Sequence, residues 1–251
     1  MKRTLRRVLI VLLLGVFLFS AAQMVQRTED YRSGAKAYRA LSAYARAPEQ
    51  SEEHSEKDDG LPWPEVDFAA LEAVNPETVG WLFSEGTVIN YPVAQGKDND
   101  YYLHHLLDGS ENRCGCLFLD AQNRKDFSDF HSIIYGHHMK DGSMFKGLKG
   151  YQEQEYFEKH PVLLLVTPEH QYRVELFAGY VSKTTGNAWQ LAFADDEEKE
   201  AWLWEQRKLS CFQSEVVPTA EDHILTLSTC SYEFKNARFV VHGVLKEKGT
   251  D

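Results

Sequence analysis

The stretch Ile224–Leu245 constrains the fold of this chain more than any other. Two runs rich in β-branched and aliphatic residues, Ile224–Thr229 and Phe239–Leu245, flank a polar connection. Such runs form strands because branched side chains pack well on a pleated surface. The connection carries Lys235-Asn236, a turn signal. In a strand the side-chain period is 2, so Ser228 and Cys230 share a face. An antiparallel return brings Arg238, which opens the second run, close to Cys230, which closes the first. A fixed cation beside a thiol favours its ionised form.

A free cysteine usually just fills a core, so position alone does not make Cys230 reactive. The motif around it carries more. Thr226-Leu227-Ser228-Thr229-Cys230, with an arginine eight residues on in Ala237-Arg238-Phe239-Val240-Val241, closely resembles the active-site strand pair of sortases, and within them class B. A second matching block is Ile133-Ile134-Tyr135-Gly136-His137-His138-Met139-Lys140-Asp141-Gly142-Ser143-Met144-Phe145. A third is Tyr91-Pro92-Val93-Ala94-Gln95-Gly96-Lys97-Asp98-Asn99-Asp100-Tyr101-Tyr102-Leu103. The blocks occur in the family's order and span about Val79 to Leu245, which makes them far more specific together than singly.

The 251 residues suffice for one sizeable domain plus an extension, and 43% hydrophobic content suits a globular core. Formal net charge is −11, although the first 22 residues hold Lys2, Arg3, Arg6 and Arg7 and no acid. So acidic a balance argues against nucleic acid as a partner, since binding phosphates needs a basic face. Cys114, Cys116, Cys211 and Cys230 form no disulfide framework: Cys114-Gly115-Cys116 is too tight for an ordinary bridge and no Cys-x-x-Cys occurs. An exported protein with this usage does not rely on disulfides.

Residues 1–26 read as a basic start and an apolar anchor. Val8–Ala22 is apolar, shorter than the about 20 residues of a typical span, and fits a signal peptide's apolar region equally well. Because apolar character continues through Met24-Val25 and a helical stretch follows, an uncleaved anchor is favoured. The basic flank sets the N-terminus inside and the rest outside. Residues 27–64 read as a juxtamembrane segment: a helix over Arg27–Arg46, expected to be a solvated stalk, then a linker rich in proline and acid over Ala47–Pro64. Residues 65–251 read as the extracellular catalytic domain that the resemblance implies.

Within that domain Asp67 caps a helix reaching Val74. Val79–Phe83 and Val88–Val93 read as a hairpin, Asp98–Leu107 as a helix, and Cys116–Leu119 and Ser132–Tyr135 as strands. Met144–Tyr156 reads as helical with glycine interruptions, and Val162–Thr167 and Tyr172–Lys183 as strands. Asp195–Leu209 is a clear helix, with acids in its first turn and Arg207-Lys208 in its last. Many short strands with few helices make the domain mostly β, a barrel or a sandwich. The resemblance implies the sortase-type eight-stranded β-barrel, with the class B N-terminal helices and a helix between the sixth and seventh strands.

The resemblance also implies chemistry. Cys230 is the nucleophile, His137, directly after Gly136, is the acid–base group in preference to His138, and Arg238 holds the oxyanion. Asn99, Leu103 and Ser228 match positions that contact the peptide. The implied reaction cleaves a C-terminal sorting motif of secreted proteins after a Thr, through a thioacyl enzyme. An amine from a peptidoglycan cross-bridge or a pilin lysine then takes the acyl group. No cofactor and no metal are expected. The implied setting is the cell membrane, single-pass, with the domain extracellular on a Gram-positive surface. Three rivals stand beside this reading. A papain-like cysteine hydrolase places its Cys at a helix start ahead of its His. A zinc site of Cys114, Cys116, His137 and His138 has poor tetrahedral spacing. An exported noncatalytic binding module would bury Cys230.

Overall fold

The computed structural model describes residues 2–46 and 60–249. Its first helix, α1 (Lys2–Leu41), is continuous and runs into a 3₁₀ turn at Ser42–Tyr44. β1 (Ala45–Arg46) pairs with β2 (Glu65–Val66), so the chain on either side of the acidic linker comes together. Most of that linker, 47–59, lies outside the described residues. α2 (Phe68–Val74) starts where Asp67 accepts from the N–H of Ala70 at 2.9 Å, as its capping position requires.

The C-terminal part of α1 is not a solvated stalk. Tyr38 and Leu41 are buried in the main core, with Tyr31 and Ala37 packed against it. The Tyr38 ring meets Tyr91 edge-on at 5.2 Å and its hydroxyl donates to the Gly115 carbonyl. A side chain at Gly34 would stand 2.7 Å from the Cys114 sulfur. Tyrosine suits this role because an apolar ring carries one polar tip. The helical spacing of these residues is visible in the sequence, but the barrel wall they meet is assembled from distant segments.

Eight strands close the barrel: β3 (Thr78–Phe83), β4 (Asn90–Ala94), β5 (Leu117–Leu119), β6 (His131–Tyr135), β7 (Val162–Val166), β8 (Gln171–Lys183), β9 (His223–Cys230) and β10 (Ala237–Glu247). Their order is β10-β8-β7-β3-β4-β5-β6-β9, with β9 bonded back to β10. Two pairings are parallel, β4 with β5 and β6 with β9, and the rest are antiparallel. Alternate residues divide between two cores. Leu225, Leu227, Ile134, Phe239 and Val241 belong to the barrel interior. Ile224 and Val244 belong to an outer cluster with Trp202 and Leu203.

Those last two residues lie on a helix in the connection between the sixth and seventh barrel strands. Its label follows the shorter helices before it: α3 (Tyr101–His104), α4 (Gln154–Lys159) and then α5 (Asp196–Leu209), capped by Asp195 through the N–H of Glu198 at 2.9 Å. Two expected helices are cut short. Asp98–Leu107 keeps only α3, because the carbonyls of Tyr102 and His104 are taken by the N–H groups of Cys116 and Asn112 from the next loop. The segment Phe145–Gln152 is 3₁₀ rather than α, with Phe145, Leu148 and Tyr151 buried. That spacing of three matches three residues per turn.

Candidate active site

Cys230 ends β9, and Arg238 lies directly opposite it on β10. Directly opposed residues share a face, with Cβ atoms about 5 Å apart. The two-residue period along β9 sends Ile224, Thr226, Ser228 and Cys230 to one side. Ile224 packs in the cluster under α5, so this is the outer face of the barrel. Cys230 is half-buried and free. Asn236 shapes the turn before β10 with φ 62°, a left-handed conformation that asparagine tolerates.

His137 reaches the same place from β6. Tyr135 is in register with Ser228, and the Gly136 N–H donates to the Ser228 carbonyl at 3.1 Å. Thr229 Oγ1 donates in turn to the Gly136 carbonyl at 2.8 Å. Gly136 is pinned so closely that a Cβ there would lie 2.4 Å from Leu117 and 2.6 Å from Phe145. Only glycine lets β6 end here, and the next residue is His137. Its Nε2 lies 2.7 Å from the Leu103 carbonyl. A carbonyl only accepts, so Nε2 carries the proton and Nδ1 is the basic nitrogen of the neutral ring.

The His137 imidazole titrates below its ordinary value. Burial is the largest cause; the bond to Leu103 opposes it, while His104 and Arg238 push the same way. The guanidinium opposite Cys230 therefore disfavours the imidazolium beside it. His138 stays off the groove, with its ring edge-on to Tyr232 at 5.2 Å and a hydrogen bond to the Cys230 backbone. It too titrates low, first through burial and then through Lys146.

A groove of about 340 Å³ holds Asn99, Leu103, His137, Ser228, Cys230 and Arg238 together, and His138 is not among its lining residues. Asn99 is engaged at both ends of its amide, with Nδ2 donating to Asp120 at 2.9 Å and Oδ1 accepting from Ala121 N–H at 2.8 Å. Tyr135 donates to the same Asp120 oxygen at 2.9 Å, which makes Asp120 the anchor of the groove floor. Ser228 is 1% exposed, with its hydroxyl under the Trp189 indole N–H at 3.3 Å. Arg238 donates to the Ala237 carbonyl at 3.0 Å, and no carboxylate among the described residues pairs with it. The Ser231 N–H donates to the Ala237 carbonyl at 3.0 Å, so it is already engaged.

Sequence reasoning missed Tyr135, Thr184 and Trp189 as groove residues. Thr184 and Trp189 lie in the connection after β8, where no periodicity marks an element. A tryptophan in an otherwise small, polar stretch was the available signal there. A closed barrel presenting thiol, imidazole and guanidinium in one outer groove defines a cysteine enzyme of the acyl-transfer kind.

Comparison with known proteins narrows that class. The sortase domain family matches residues 85–246. A sortase B of Listeria monocytogenes is 34% identical, over 98% of this chain and 99% of the relative. A sortase B of Staphylococcus aureus is 31% identical, over 96% of each. The solved sortase B from Bacillus anthracis, in complex with AAEK1, has 33% identity and a TM-score of 0.74, covering 88% of this chain and 99% of its own. The Staphylococcus aureus sortase B–substrate complex has 34% identity and a TM-score of 0.69, covering 72% and 84%. The chain belongs to the sortase family, in its class B group. It is a cysteine transpeptidase, built on the eight-stranded barrel with α5 between the sixth and seventh barrel strands.

Proposed function

We propose that this sortase cleaves a C-terminal sorting motif of secreted proteins after a Thr and passes the acyl group to an amine of a peptidoglycan cross-bridge or a pilin lysine. The observation that carries the reading is the Cys230–Arg238 cross-strand pair with His137 in the same groove.

The chemistry runs in two balanced halves. The Cys230 thiol loses its proton to His137 Nδ1, and the thiolate attacks the Thr carbonyl carbon. The carbonyl oxygen becomes an oxyanion held by the planar fork of Arg238. As the C–N bond breaks, the imidazolium returns its proton to the leaving amine, and a thioacyl enzyme remains. The incoming amine attacks the thioester and loses a proton to His137. The thiolate leaves and is reprotonated, so nothing is consumed beyond the two substrates. The reactive ion pair is scarce. With ordinary values near 8.5 for Cys and 6.5 for His it is about 1% of the enzyme at pH 7. A depressed His137 makes it scarcer, which is consistent with a slow transpeptidase.

Asn99 and Leu103 form the peptide-facing side of the groove, and Ser228 acts through its bond to Trp189. A solved sortase B is complexed with triglycine, a short peptide amine of the class proposed here as the second substrate. α1 is long and apolar enough to cross a membrane, with a mean hydropathy of 2.6 in its most apolar window. With the basic N-terminus inside, the domain faces outward.

The test is mass spectrometry of the enzyme incubated with sorting peptides and an oligoglycine. An acyl adduct on Cys230 lacking the peptide's C-terminal fragment is expected, together with a ligated product. Cys230→Ala should abolish both while leaving thermal stability nearly intact. Product formed at the normal rate by that variant would end the reading.

A further inference from the structure

Directly beneath the groove, on the same outer face, lies a chain of buried polar groups that the reaction does not use. His242 on β10 stands in register with Thr226 on β9, and their Nδ1 and Oγ1 are 2.7 Å apart. Thr226 Oγ1 is 2.6 Å from Nε2 of His131, at the start of β6. Nδ1 of His131 is 2.6 Å from the carbonyl of Gln190. All three side chains are at most 1% exposed.

Proton counting gives this chain a direction. The Gln190 carbonyl only accepts, so His131 Nδ1 must donate, and the neutral ring is left with a bare Nε2. The Thr226 hydroxyl then donates to Nε2 and accepts from Nδ1–H of His242. Nε2 of His242 is left as a bare acceptor, and it has no hydrogen-bond partner. Each proton has one place, and the last bond emerges at Gln190. That residue follows the 3₁₀ turn Asn187–Trp189, whose tryptophan covers Ser228 and lines the groove. From the other side α5 holds the turn, through Trp202 Nε1 to the Asn187 carbonyl at 2.9 Å and through Glu205 to the Asn187 amide at 2.6 Å.

We infer that His131 is a positioning residue for peptide binding: the chain His242–Thr226–His131 fixes the Gln190 carbonyl, and with it the Trp189 wall of the groove. Along β9 the outward residues then have successive tasks. Thr226 sets the turn, Ser228 receives the indole and Cys230 reacts. An aromatic wall held at both ends can meet a peptide without first being ordered, so the contribution falls on binding and not on the chemical step. The inference rests on the groove being the peptide site.

Thr226→Val keeps the shape and removes the hydroxyl. His131→Asn keeps a donor near Nδ1, and His131→Gln keeps a group near Nε2 but loses the bond to Gln190. The full chain in detergent, labelled with 5-fluorotryptophan, gives resonances for its five tryptophans, and Trp189→Phe assigns the one that matters. His131→Gln loses the bond to Gln190 and Thr226→Val loses both bonds of its hydroxyl, and each should raise KM for the sorting peptide about tenfold, with kcat within about twofold. The Trp189 resonance should shift in both, while His131→Asn, which keeps the donor to Gln190 but loses the bond to Thr226, should fall between wild type and His131→Gln in KM and resonance. Unchanged KM with an unmoved resonance would overturn the inference. So would a fall in kcat with no rise in KM, or failure of a variant to fold, since either would mark the chain as core structure only. If wild-type enzyme turns over no peptide, the reading of the groove fails instead, and the fluorine comparison still decides whether the chain positions Trp189.

Discussion

Cys230 and Arg238 face each other across β9 and β10 in antiparallel register, on the outer face of the barrel. The same guanidinium also acts on His137 and lowers its affinity for a proton. A cation placed to hold an anion in the groove thus also opposes the imidazolium beside it. Oxyanion binding, the role proposed for Arg238, meets no such opposition.

Arg238→Lys separates the two roles. A point charge can tune a thiol, but only the planar fork can hold two oxygens at once. Turnover should fall at least about a hundredfold, the scale of losing one oxyanion donor. The pH dependence of Cys230 alkylation should move little. Because Cys211 is also exposed, the alkylation is best followed in a Cys211→Ser background. Retained turnover with a large alkylation shift would assign Arg238 to the thiol. The Ser231 N–H, held by Ala237, is not free to replace it without a change in the turn.

The two adjacent histidines should differ sharply. His137→Ala should lose about 10²–10⁴ in kcat, as removal of a general acid does. His138→Ala should keep most of the rate and affect mainly the Tyr232 loop it packs on. Burial, His104 and Arg238 hold the His137 imidazole low, so the acid limb of kcat/KM should lie below about 6.5, the ordinary imidazole value. An acid limb at or above that value would show that another group controls it. Rate loss in His138→Ala instead of His137→Ala would exchange their roles.

Acid should destabilise the fold through the buried ring pair. Burial drives the His131 imidazole down to about 4 and takes His242 well below the usual range. Unfolded histidine titrates near 6.5, so between these values the unfolded chain binds more protons than the folded one. Stability is then fully present above about pH 6.5 and is lost as pH falls towards 4. At about 1.4 kcal/mol per unit, His131 alone accounts for on the order of 3 kcal/mol by pH 4. Urea titrations should show the midpoint falling between pH 6.5 and 4.5, with a flatter fall in His131→Gln. Equal slopes in the two proteins would exclude His131 as a source.

The anchor should hold the protein in the membrane fraction. Protease added to wall-stripped cells should release or digest the domain, cutting at the acidic linker. Complete protection of the domain in intact cells would show the opposite orientation.

Gly136→Ala tests the placement of His137. The new methyl would stand 2.4 Å from Leu117 Cδ2 and 2.6 Å from Phe145 Cδ2, and relief requires those buried side chains or the end of β6 to move. Turnover should drop by more than about tenfold, since small misplacement of a catalytic group is costly, while Cys230 remains open to alkylation. Normal kcat would mean that the strand end has slack.

Local rules carried part of this structure. The β9–β10 pair was legible because alternation with a period of 2 and a short Asn-containing turn specify a hairpin-like return, and Cys230 and Arg238 fall at its open end. α5 was legible from its caps and end charges, and α2 from Asp67. Three ordered sequence blocks identified the family and pointed to His137, which the fold brings into the groove. What the sequence could not supply was pairing between distant segments. The parallel match of β6 to β9 that sets Gly136 under Ser228, the docking of Tyr38 and Leu41 on the barrel, the Trp189 wall and the His242–Thr226–His131 chain each join residues far apart in sequence. Such contacts are chosen by which buried surfaces and buried polar groups fit one another once the barrel closes, and no local propensity records that choice. Tertiary partners also shortened α3, whose last carbonyls bond to the next loop. The order of amino acids set which chemistry could occur, since it supplied the thiol, imidazole and guanidinium. Their meeting on one face was left to the closed barrel, because strand register converts separation along the chain into proximity in space.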